Sequence, residues 1–162
     1  MIRVTAVMLT SLVLAACDPP DVAKLLKPVK EIEQIKAVEP VKRNLNPQQL
    51  SRGAALFKTN CADCHGEQGQ GTVNWQKRGK DGKFPPPPLN GLGHTWHHPT
   101  AVLKYTINNG TGKIGGNMPA FANKLSDAQI DDILIFIQEK WPEPIYEAWY
   151  RTDERARNST PK

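Results

Sequence analysis

The sequence predicts an all-α domain, and three observations carry that expectation. Three segments, near residues 46–60, 99–110 and 125–142, combine helix-capping residues with apolar residues at helical spacing. Alternating apolar and polar runs that would mark strands are nearly absent. The stretches between the helices, "GQGTVNWQKRGKDGKFPPPPLNGLGHTW" and "GTGKIGGNMPAF", are long and rich in glycine and proline. Three or four helices with so much loop bury too little apolar surface by themselves, so something other than polypeptide is expected to fill the middle.

The chain has 162 residues, enough for one compact domain with tails. Its formal net charge is +5, and residues 47–142 hold ten basic and seven acidic side chains. That excess is mild. No dense basic stripe with interleaved aromatics is present, which argues against nucleic-acid binding. A slightly basic face suits docking to an acidic protein partner.

Taken in order, "MIRVTAVMLTSLVLAAC" begins with one arginine and continues as an apolar run through residue 16. The run is too short to span a bilayer and has the proportions of an export signal. Its end, Leu14-Ala15-Ala16-Cys17, resembles the lipobox of bacterial lipoproteins. That resemblance implies a signal peptide over residues 1–16, cleavage before Cys17, lipidation of Cys17 and attachment to a bacterial membrane on its periplasmic side. Asp18 resembles a signal for retention at the inner membrane. Several acyl chains, unlike one, hold a protein stably at a bilayer.

Residues 18–46, "DPPDVAKLLKPVKEIEQIKAVEPVKRNLN", contain no aromatic, and their prolines at 19, 20, 28 and 40 allow only short helical pieces. With Cys17 they read as a flexible tether over 17–46, with an end-to-end distance of about 30 Å as a coil and a reach on the order of 90 Å when stretched. The alternative is a short amphipathic helix over residues 29–38 that docks on the domain.

The domain is expected over residues 47–142. Asn46 suits a helix cap, Pro47 the first helical position, and Gln49 completes a capping-box pattern. Leu50, Ala54 and Phe57 follow at helical spacing. Gly53 lies on the same stripe, where glycine costs about 1 kcal/mol relative to alanine; close approach of another helix is the expected reason. A helix near residues 99–109 points Val102, Leu103, Thr106 and Ile107 inward, with Gly110 as its C-terminal cap. In the last helical pattern Ser126 and Gln129 form a capping box, Ile130, Ile133, Leu134, Ile137 and Trp141 form the apolar stripe, and Pro142 ends it. Residues 143–162 read as a polar surface extension that frays.

The chemistry sits in Cys61-Ala62-Asp63-Cys64-His65. Three readings share this pattern. A redox dithiol of the thioredoxin type needs a strand–helix context, which is missing. A zinc site needs two further ligands, for which His94, His97 and His98 are available. Covalent haem attachment uses this five-residue signature: each thiol adds to a vinyl group at one porphyrin edge, and the histidine is placed to ligate iron. An exported chain lacking core filler favours the last.

With these residues in view, residues 47–141 resemble a class I, mono-haem bacterial cytochrome c. "RGAALFKTNCADCHG" resembles that family's first helix and haem-binding segment, "PPPPLNGLG" its proline-containing turn, "GGNMPAF" its distal-ligand loop and "LSDAQIDDILIFIQEKWP" its last helix. The resemblance implies one haem c bound through Cys61 and Cys64, with His65 on the iron. It implies that Pro87 accepts the second N–H of His65, and that Gly53 and Phe57 cross the last helix near Phe136. Of the three methionines, Met1 and Met8 lie in the signal, so a thioether ligand to iron is Met118. A histidine of "GHTWHHP" is the rival ligand. Trp75 or Arg78 is available to a haem propionate.

Filled axial positions favour electron transfer over catalysis, and no catalytic residue is assigned. The expected function is a membrane-tethered cytochrome passing single electrons between periplasmic redox proteins with acidic docking faces. The alternatives are a haem-based sensor of gases or small ligands and a cytochrome subunit of a larger oxidoreductase. A peroxidase is disfavoured, because one haem motif is present and no acid–base pair accompanies Met118.

Overall fold

The computed structural model describes residues 40–43 and 45–159. The expected signal 1–16, the lipidation site Cys17 and the tether up to residue 39 lie outside the described residues. The helices are α1 (Pro47–Asn60), α2 (Ala62–His65), α3 (Thr100–Asn109), α4 (Asp127–Glu139) and α5 (Glu143–Ser159). Short 3-10 turns occupy Thr95–His97 and Gly112–Ile114. The described residues contain no strand, only a single bridge between Phe84 and Gly116. The all-α expectation therefore holds, with one long helix more than the sequence patterns announce.

Helix α1 starts where its cap dictates. Asn46 Oδ1 accepts the N–H groups of Gln48 and Gln49 at 2.9 and 3.1 Å, and Pro47 occupies the first turn. The reciprocal half of the expected capping box is absent, because the Gln49 amide donates to Asp132 Oδ1 instead, at 3.2 Å. In α4 the box is complete: Gln129 N–H donates to Ser126 Oγ at 3.3 Å, and Ser126 N–H donates to Gln129 Oε1 at 2.9 Å.

These two helices cross at Gly53. A Cβ there would overlap the backbone carbonyl of Asp132 and stand 3.0 Å from Phe136 Cβ. Beside the crossing the Phe57 and Phe136 rings meet with centroids 5.2 Å apart. Ile130, Ile133, Leu134 and Ile137 of α4 are buried along the same face. The Asp132 carboxylate receives Arg52 Nε at 2.7 Å and Nη2 at 3.1 Å, which closes the crossing on its polar side.

The C-terminal segment corrects the sequence expectation. Residues 143–159 do not fray but form α5, which buries Tyr146 and Trp149. The Trp149 ring lies 5.7 Å from that of Trp141 and 5.4 Å from that of Tyr146. Asp153 Oδ1 accepts the N–H of Thr100 at 2.6 Å and so caps the start of α3. Pro142 ends α4 as expected, yet its carbonyl also accepts the N–H groups of Ile145 and Tyr146, starting the next helix. The described end of the expected tether is likewise held down. Arg43 donates to the carbonyls of Gln138 (3.2 Å) and Trp141 (2.7 Å), pairs with Glu143 at 2.9 Å and stacks 4.5 Å over the Tyr146 ring.

Candidate haem site

Below the α1–α4 crossing the polypeptide leaves a cavity of about 590 Å³. That lies within the range of roughly 300–1,000 Å³ typical of small-molecule and cofactor sites. Leu89, Leu103, Ile107, Ile133, Leu134 and Ile137 supply apolar wall. Core residues thus face a void rather than each other, which the packing density of protein interiors disfavours unless an apolar group belongs there.

The Cys-x-x-Cys-His segment enters the wall from the α1–α2 junction. Cys61 closes α1, its N–H donating to Phe57 O at 2.8 Å, and opens α2, its carbonyl accepting from Cys64 and His65 at 3.2 and 2.9 Å. This tight turn sets Cys61 and Cys64 one helical step apart as free thiols. Cys61 and His65 line the cavity; Cys64 is exposed and lies outside that lining. Burial, with a smaller contribution from Cys64, pushes the Cys61 thiol up to about 11. Among the described residues no three His, Cys, Asp or Glu side chains converge on a metal position, so the zinc reading finds no ligand set.

His65 is held in one tautomer. Its Nδ1 lies 2.9 Å from the carbonyl of Pro87, so Nδ1–H donates and Nε2 keeps its lone pair for a metal. Burial holds the imidazole below its ordinary pKa, and the Pro87 carbonyl opposes this only partly, so the neutral, ligating form persists at physiological pH. Among four consecutive prolines the structure thus selects Pro87 as the acceptor. The turn is braced by Trp141, whose Nε1–H donates to Leu89 O at 2.7 Å, and by Leu89 N–H, which donates to Gly69 O at 2.7 Å.

Met118 reaches the same cavity from the glycine-rich loop after α3. Cys61, His65, Pro87 and Met118, up to 57 residues apart in the chain (118 − 61), are therefore brought to one space. The donor set fits a haem: a neutral imidazole, a thioether, a thiol pair beside the imidazole, and apolar walls. His94 and His98 also line the cavity, the Trp75 and His94 rings 5.2 Å apart and those of His94 and His98 5.9 Å apart. His97 instead stacks on Trp96 at 3.6 Å and does not line it. Of the two residues considered for a propionate, Trp75 lines the cavity; Arg78 donates to Gly82 O at 2.6 Å and covers the Phe84 ring. Sequence reasoning missed Asp153, Arg43 and Thr111, whose partners are not signalled by any local pattern.

A helical shell around one apolar cavity, with a Cys-x-x-Cys-His turn on its wall, defines a class I mono-haem cytochrome c. Comparison with known proteins agrees. The family described as cytochrome c oxidase, cbb3-type, subunit III matches residues 48–137, and the chain belongs to it. Similar relatives include the cbb3-type cytochrome c oxidase subunit CcoP of Azospirillum sp. (strain B510), 32% identical over 89 residues, covering 55% of this chain and 28% of the relative. The subunit CcoP of Azospirillum brasilense is 30% identical over 96 residues, covering 59% and 30%. Cytochrome c6 of Leptolyngbya boryana is 31% identical over 88 residues, covering 54% of this chain and 88% of the relative. The matched portions thus span less than a third of either CcoP relative but most of cytochrome c6. No solved structure gives a significant match. Family membership implies a haem c bound covalently through cysteines, and Cys61 and Cys64 are the cysteines among the described residues.

Proposed function

We propose that the chain is a lipid-anchored, mono-haem electron carrier that passes single electrons between redox proteins on the periplasmic side of a bacterial membrane. The convergence of His65 and Met118 on one cavity carries this reading. When bound, the haem supplies a one-electron Fe(III)/Fe(II) couple. Cys61 and Cys64 would hold its edge, the Pro87 carbonyl orients His65 and would raise its basicity as a ligand, and Met118 as a soft ligand would favour the reduced state. If His65 and Met118 both held the iron, no place would be left for a substrate, which speaks for a carrier and against an enzyme.

Lys77, Arg78, Lys80 and Lys83 lie in the loop that also carries Trp75 to the cavity. They supply a basic surface for an acidic partner. No helix among the described residues is long and apolar enough to cross a membrane. Attachment is assigned to Cys17, with Asp18 favouring the inner membrane. A second reading, a cytochrome subunit of a larger oxidoreductase, is favoured by the two relatives named as oxidase subunits. Under that reading α5 is not a free docking arm, because Tyr146, Trp149 and Asp153 are buried in the domain.

Visible and near-infrared spectra of the haem-loaded protein, with and without carbon monoxide, test the proposal. A sulfur-to-iron band that disappears in Met118→Ala, with a reduced spectrum indifferent to carbon monoxide, is expected. Ready carbon monoxide binding by the wild type would replace the carrier with the sensor. Co-purification with an oxidase from native membranes would favour the subunit reading.

A further inference from the structure

Met118 is presented by a loop without regular structure, so something must hold it in place. Thr111 does so with its N–H and its Oγ1. Its N–H donates to Met118 O at 3.0 Å, and its Oγ1 accepts the N–H of Met118 at 3.0 Å. Its carbonyl accepts the N–H groups of Ile114 and Gly116, each at 3.0 Å. Both backbone polar groups of Met118 are thus satisfied by one side of a single residue. Two glycines make room for this clasp. A Cβ on Gly116 would overlap the Thr111 side chain. Gly110 has φ +69°, and a Cβ there would overlap the carbonyl of Met118. The ends of the loop are pinned separately: Phe84 N–H donates to Gly115 O at 3.1 Å and Phe121 N–H to Ile107 O at 3.0 Å. Thr111 itself lines the cavity.

We propose that Thr111 is the positioning residue for the Met118 ligand and sets how firmly the sixth coordination place is closed to outside molecules. The inference rests on the reading of Met118 as an iron ligand. For a small ligand to take that place, the thioether must leave, and leaving with its backbone breaks the paired bonds to Thr111. Removing the Oγ1 acceptor deletes one bond and leaves the Met118 N–H unpaired in the closed loop, which shifts the balance towards opening by about three- to tenfold. Valine keeps the shape and loses the oxygen; serine keeps the oxygen.

The test is an imidazole titration of the oxidised, haem-loaded protein, followed through loss of the sulfur-to-iron band. Thr111→Val is expected to bind imidazole about three- to tenfold more tightly than wild type, and Thr111→Ser to match wild type. Gly116→Ala, whose Cβ would overlap Thr111 Oγ1 itself and so push that acceptor away from the Met118 N–H, is expected to reproduce the valine variant if that variant fails to mature. Asp153→Ala, which removes a helix cap elsewhere, should lower the melting temperature and leave the imidazole affinity unchanged. Unchanged affinity in both Thr111→Val and Gly116→Ala overturns the proposal, as does an equal rise in Asp153→Ala, because the effect is then general loosening. If the wild-type band is absent or survives in Met118→Ala, the ligand reading itself has failed and takes the proposal with it.

Discussion

Gly53 shows how much one residue decides. Any side chain there meets the Asp132 carbonyl, so Gly53→Ala must push α1 and α4 apart despite alanine's better helix propensity. Overpacking of this kind costs typically 1–3 kcal/mol, against about 1 kcal/mol of propensity regained. We expect a melting temperature lowered by several degrees in a thermal scan of the loaded protein. Asp132 makes a second prediction. Hydrogen bonds from Arg52 and then Gln49 hold its carboxyl below the usual range, against the opposing effect of burial. A depressed folded-state pKa contributes stability that is present above the unfolded value of about 3.9 and is lost as pH falls through the folded one. Wild type should therefore lose stability more steeply than Asp132→Asn as pH is lowered from about 5, although the variant starts lower at pH 7. Acid titration of the melting temperature of both proteins checks this; parallel curves would refute it.

At the scale of elements, α5 is the part the family match leaves out: the matched residues end at 137. It nevertheless completes the core by covering Trp141, whose indole N–H braces the turn that carries Pro87. It also caps α3 through Asp153, an N-terminal interaction reinforced by the helix dipole. Replacing Asp153 by alanine should cost about 0.5–2 kcal/mol, the range for losing a helix cap, measured by chemical denaturation. The elements the sequence made legible are those whose signals are local. Asn46 and Ser126 lie within three residues of the groups they cap. Asp153 lies 53 residues from Thr100, and Arg43 is 98 residues from Trp141. No periodicity or cap rule reaches that far, so a tail of mixed charge and a tether end read as surface.

For the whole molecule, the question is where the domain works. A tethered carrier samples a small volume near the membrane, which raises its effective concentration for partners held there. Cys17→Ser should move the protein from the membrane pellet to the soluble periplasmic fraction while leaving its haem spectrum intact. Fractionation followed by spectroscopy decides this, and continued membrane association of the variant would require another anchor.

The sequence by itself determined the all-α class, the starts of α1 and α4, the Cys-x-x-Cys-His spacing and, by counting, Met118 as the sole thioether in the domain. These are short-range facts, set by backbone geometry and residue chemistry within a few positions. Only the tertiary structure decided that Cys61 but not Cys64 lines the cavity, and that His94 and His98 line it while His97 does not. It also decided that the last segment is a packed helix and that Thr111 clasps Met118. Each of these depends on two segments meeting in space, and their meeting is fixed by packing across the whole domain rather than by any local preference.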